Sequence, residues 1–158
     1  ASGFEAWPMM DIYEGEEHGG GFYKKKITYL RGAALTRHVL HVKDGRLVDG
    51  AGKLLDADLA GEGTEERGGF CIYVMTPDGT IYVSFDHKQG SFHHSSLVAG
   101  QPVAGAGDMT VIEGELMELS NSSGHYRTPP RSLKQVQARL EEMGVKLDGV
   151  KITALGKD

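Results

Sequence analysis

The sequence predicts one α+β domain, a curved and mostly antiparallel sheet of hairpins with a single amphipathic helix packed on it and a short strand at the end. Three observations carry that prediction. Three segments share one design, β-rich residues on either side of a turn that ends in Gly: 38–48 ("HVLHVKDGRLV"), 70–85 ("FCIYVMTPDGTIYVSF") and 109–119 ("MTVIEGELMEL"). One stretch, "SLKQVQARLEEMG", has helical rather than strand periodicity. After it, "KLDGVKITAL" reads as a last strand.

Taken in order, residues 1–23 hold six Gly or Pro and read as an irregular segment ahead of a domain spanning 24–158. Asp-Gly closes the first hairpin and Pro-Asp-Gly the second, both supplying the positive φ that tight turns need. The second is the strongest, with β-branched and aromatic residues on both arms. Between them, 60–69 ("AGEGTEERGG") reads as an acidic loop. Glu113-Gly114 closes the third hairpin with a weaker turn signal. The helix is expected over 132–143: Ser132 and Gln135 have capping-box spacing, Gly144 suits the left-handed cap, and Pro129 and Pro130 stop extension towards the N-terminus. Leu133, Val136, Leu140 and Met143 form its apolar stripe.

With 158 residues, 39% hydrophobic and 25% charged, the composition is that of an ordinary globular domain with one core. No apolar run approaches 18 residues and no basic-then-apolar pattern opens the chain, so neither a membrane span nor a signal peptide is expected. The first residue is not Met, as in a fragment of a longer protein. A net charge of −5 disfavours a general nucleic-acid binder. Lys24, Lys25, Lys26, Arg31, Arg37, Lys43 and Arg46 nevertheless form a basic segment, read either as a solvated face or as a local phosphate or backbone site. Cys71 sits inside "FCIYVM" and reads as a buried, inert thiol.

Chemistry-bearing side chains gather in two loops. The first, "SFHHSSLVAGQPVAGAG" (91–107), holds His93, His94, Ser95 and Ser96 and then only small residues after Val103. Neighbouring residues on a strand point to opposite faces, so the two histidines do not make a metal pair, and no metal is expected. The serines either cap backbone where a strand ends or form a polar floor for a ligand. The second loop, "SNSSGHYRTPP" (120–130), holds Gly124, His125 and Tyr126 between a strand and the helix. His125 suits a general acid or base and Tyr126 a stacking platform or hydroxyl donor; alternatively both serve the core.

The stretch "FHHSSLVAGQPVAGAGDMTVIEGELMELSNSSGHYRTPPRSLKQVQARLEEMGVKLDGVKI" resembles a module of the plant calmodulin-binding IQ-motif (IQM) family and of bacterial proteins that look like effector or toxin tails. The likeness covers 70–152 well and 26–58 loosely. Thr128 is an extra residue before the proline, and Asp108 stands where the family pattern has Glu. The IQ motif is absent from these 158 residues, so calmodulin binding does not carry over. The resemblance implies a non-catalytic module that binds a ligand or a protein.

A second likeness, to small bacterial ADP-ribosyltransferase toxins, implies an enzyme that moves ADP-ribose from NAD to a protein or RNA acceptor. It would act as a secreted effector, in the cytoplasm or delivered into a target cell, opposed by an immunity protein. It draws on Arg31 on an early strand, Ser95 and Ser96, and the Glu113-Gly114-Glu115 turn, or on His94, Tyr126 and one of those carboxylates. A carboxylate would polarise the ribose hydroxyl at an oxocarbenium-like transition state. Arg31, His94, Ser95, Ser96, Gly124 and Tyr126 would hold NAD, with Glu113, Glu115 and His125 completing the catalytic set. The binding module and the transferase are the two expectations carried to the structure.

Overall fold

Each predicted hairpin forms, and its turn shows why. The computed structural model describes residues 3–21, 27–56, 70–85, 92–123 and 125–157; Lys24, Lys25, Lys26, the acidic loop 60–69 and Gly124 lie outside them. β1 (His41–Lys43) and β2 (Arg46–Val48) pair antiparallel across Asp44-Gly45. β3 (Cys71–Met75) and β4 (Ile81–Ser84) close through Asp78, whose carboxylate accepts the Thr76 hydroxyl and, at 3.0 Å, the Thr80 amide. β5 (Gly105–Ile112) and β6 (Glu115–Ser120) turn through Glu113 at φ 50° and Gly114 at φ 78°. A Glu is strained in that left-handed region, which explains the weaker turn signal.

The main sheet runs β4-β3-β5-β6-β7, antiparallel except where β7 (Lys151–Thr153) lies parallel to β6. A parallel neighbour needs a crossover, and α2 (Pro130–Glu142) supplies it. The central strands are buried on both faces. Cys71, Tyr73, Met75, Met109 and Val111 meet Leu133, Val136 and Leu140 of α2, while Ile72, Val74 and Ala106 meet Phe92, Leu97, Val103 and Tyr126 on the far side. Two covered faces account for the continuous apolar run "CIYVM".

Four details depart from the sequence reading. The helix begins two residues early, because Pro129 caps it and Pro130 occupies its first turn, where a missing amide costs nothing. Ser132 is then inside the helix, its hydroxyl donating to Pro129 O at 2.7 Å. Gln135 forms no capping box; its amide clamps the N-terminal segment, accepting from Glu5 N and donating to Glu5 O, both at 2.9 Å. Arg31 sits on no strand but immediately before the short helix α1 (Gly32–Thr36). Finally, the small residues after Val103 belong to β5. A Cβ on Gly105 would stand 2.4 Å from Val136 Cγ2, and one on Gly107 would stand 1.9 Å from Ser120 O, so their smallness lets α2 and the β6 backbone approach.

Candidate functional site

On the sheet face opposite α2, the two histidine loops meet around a carboxylate that the sequence reading passed over. Residues 94–97 form a 3-10 turn rather than a strand end. Its start is held by the His93 amide, which donates to Ser96 Oγ at 3.0 Å. That turn sends His93 and His94 in different directions. His94 Nε2 reaches Gly107 O at 2.7 Å, tying the loop to β5. The His93 ring stacks on His125, centroids 4.4 Å apart. Tyr13 stacks on His125 at 3.7 Å; two parallel rings need opposite faces, so the imidazole is sandwiched.

The edge of that imidazole points at Glu16. His125 Nε2–H donates to Glu16 Oε2 at 2.7 Å, while Oε1 accepts the Tyr29 hydroxyl at 2.7 Å and a short bond from Ser95 Oγ. Glu16 and Ser95 are fully buried and His125 is 2% exposed, so the cluster is closed to solvent. Glycines flank the acid on both sides, and its 3-10 turn (Glu16–His18) starts and ends on left-handed Gly15 and Gly19. This lets residues 11–21 fold back so that Glu16 O accepts the Ile27 amide at 2.9 Å.

Burial alone would push the Glu16 carboxyl up, but the bonds from His125, Ser95 and Tyr29 together hold it below the usual carboxylate range. It is therefore ionised, and compensated. Burial and then the adjacent carboxylate push the Tyr29 phenol up. His93 is pushed down to about 4, first by burial and then by the neighbouring His125, against the pull of Glu16.

The other expected site residues lie elsewhere. Ser96 serves the 3-10 turn. Tyr126 is buried, its hydroxyl donating to Gln101 O at 2.7 Å. Glu113 and Glu115 are exposed at the β5–β6 turn, remote in role from the cluster, with Glu113 O accepting from Arg46 at 3.3 Å. Arg31 is exposed and lines an apolar cleft beside Leu35, Tyr82 and Val98. Ser95 and His125 bond different oxygens of Glu16, so the acid, not a reacting atom, is their common partner. No substrate can reach Ser95 Oγ in this arrangement, and a nucleophile needs both a base and an approach path. Glu16, Tyr29 and Tyr13 went unread in the sequence: Glu16 and Glu17 look alike there, and only burial separates them.

Comparison with known proteins agrees with the geometry. The family described as IQ motif-containing protein middle domain matches residues 36–133. IQ domain-containing protein IQM3 of Arabidopsis thaliana is 33% identical over 133 residues, covering 84% of this chain and 28% of that protein. IQ domain-containing protein IQM5 of the same plant is 30% identical over 132 residues, again 84% of this chain and 25% of that protein. The chain thus spans about a quarter of the length of these relatives. No solved structure matches. These matches overturn the expectation of a bacterial ADP-ribosyltransferase toxin or effector, and the NAD expectation rested on that reading. The physical reason is visible in the cluster: chance order of Arg, Ser-Ser and Glu-x-Glu along the chain put those residues at an exposed cleft, a sealed network and a hairpin turn.

Proposed function

The chain belongs to the family of IQ motif-containing proteins, through their middle domain, and from that premise we propose that it is a non-catalytic module that binds a protein partner. One observation carries the reading: the side chains with most chemical potential are spent on one another. Glu16, Ser95 and His125 are closed from solvent and joined by hydrogen bonds, as in an internal strut that fixes two loops and an N-terminal segment. Catalytic groups need an accessible pocket beside them. Among the described residues no helix is long and apolar enough to cross a membrane.

Immobilised domain tests this. It should retain a discrete protein from a cell extract. Ser95→Ala, made to remove one strut hydroxyl, should retain the same protein at temperatures where both forms are folded. Capture of nothing, or loss of capture by Ser95→Ala with an unchanged melting curve, would refute the reading.

A further inference from the structure

Away from the buried cluster, where the loop after β6 meets the chain after β7, a cleft of about 370 Å³ opens between residues 121–123, 126–129 and 155–157. Its volume falls within the usual range for small-ligand pockets, roughly 300–1,000 Å³. Arg127 and Lys157 line it, and among the described residues no carboxylate does. In a chain of net charge −5 this is a local reversal. Between Glu118 and Glu141 the sequence holds Arg127, Arg131, Lys134 and Arg139 and no acid. Arg131 is taken by Glu5 at 2.8 Å and Arg139 by Gly79 O at 2.9 Å, but Arg127 has no partner among the described residues.

A second observation points into the same cleft. Thr128 lines it and is 5% exposed, and its Oγ1 is the buried side-chain polar atom that, among the described residues, has no hydrogen-bond partner. Native interiors seldom leave such a group unpaired without a ligand or water to meet it. The walls are fixed by Asn121, whose Nδ2 donates to Thr128 O and Leu155 O, both at 3.0 Å, while its Oδ1 accepts the Leu155 amide at 2.7 Å. The positive end of the α2 dipole starts at Pro129, also in the lining.

We propose that this cleft binds a small phosphomonoester through its phosphate. A guanidinium with a planar fork, an ammonium and a hydroxyl donor, with a helix start behind them, match a tetrahedral dianion better than a neutral polar group. The proposal rests on the binding-module reading and gives it a small-molecule site separate from any protein surface.

Inorganic phosphate is the probe, titrated into the isotopically labelled chain against sodium chloride of equal ionic strength. Saturable shifts at the Thr128 amide and the Arg127 side chain are expected with phosphate and not with chloride. Arg127→Gln should weaken binding about tenfold or more, the loss of one charge-assisted contact. Thr128→Val should bind phosphate several-fold more weakly while melting no earlier, since it replaces an unpaired hydroxyl with a methyl group of the same shape. Equal shifts with both salts, or equal affinity in wild type and Arg127→Gln, would overturn the site. Protein capture surviving that failure would confine the loss to this cleft; failure of capture as well would remove the module reading with it.

Discussion

His93 offers the sharpest test of the buried stack. Its ring lies against His125, half-buried, and burial together with that neighbour pushes it down to about 4. In the unfolded chain it titrates near 6.5. A basic group with a depressed folded pKa binds fewer protons in the native state, so its neutral form costs nothing above about pH 6.5, and stability falls as pH drops from there towards 4. Integrated from pH 7.5 to pH 5, that linkage has an upper bound of about 2 kcal/mol, and solvent screening of the half-exposed ring brings the expected contribution of His93 to roughly 1 kcal/mol. Glu16 works in a lower window: a carboxyl held below its usual range stabilises above that range and loses the contribution only as pH falls through its folded value. The perturbation is His93→Phe, which keeps a stacked ring, removes the titrating nitrogens and leaves the main-chain bond from residue 93 to Ser96 in place. Urea unfolding of both proteins at pH 7.5 and pH 5 measures the difference. Wild type should lose about 1 kcal/mol more than His93→Phe over that interval. Equal losses would mean that His93 protonates freely in the fold, and that neither its partial burial nor its stacking on His125 restrains it.

Glu16→Ala strands the Tyr29 hydroxyl, the Ser95 hydroxyl and the His125 N–H at once. At about 1–3 kcal/mol for each buried donor left unmet, the loss should reach at least about 3 kcal/mol, to be read in a denaturant titration; an unchanged midpoint would refute the cluster. Gly107→Ala places a methyl group 1.9 Å from Ser120 O and 2.7 Å from its carbonyl carbon, both rigid backbone, so β5 and β6 must part. A destabilisation of about 3 kcal/mol or more is expected from such overpacking against main chain, and a melting temperature equal to wild type would mean that this strand pair is looser than described.

What was legible in the sequence is what depends on neighbours along the chain. Asp44-Gly45 and Pro77-Asp78-Gly79 fix their turns within four or five residues, and Leu133, Val136 and Leu140 line one face of α2 by spacing alone. What was not legible depends on partners far away. Gly105, Ala106 and Gly107 have poor strand propensity, yet they form β5 because Val136 and Ser120 press against them from elsewhere in the chain. Pro130 looked like a barrier to the helix until its position in the first turn was known. The convergence of the two loops could be anticipated, since Ser95 and His125 do meet. Their meeting point could not, because Glu16 lies 79 residues from one and 109 from the other.

That meeting point also explains why the fold keeps an ionised group inside. A buried carboxylate is weak support for stability as such, since well-packed apolar residues can often replace an ion pair at no loss. Its demand is geometric. Glu16 is satisfied only when Tyr29, Ser95 and His125 arrive together, one from the segment before α1, one from the 94–97 turn and one from the loop ahead of α2. Leu30 N bonds Ser96 O and Met10 N bonds His125 O, both at 2.9 Å, so two of these segments are also laced to each other, and the third to the N-terminal segment that carries Glu16, through their backbones. An apolar cluster would accept several offsets of these loops; the carboxylate accepts one. Arg127 and Thr128 follow His125 by two and three residues, so the register set at the buried acid is passed directly to the walls of the open cleft.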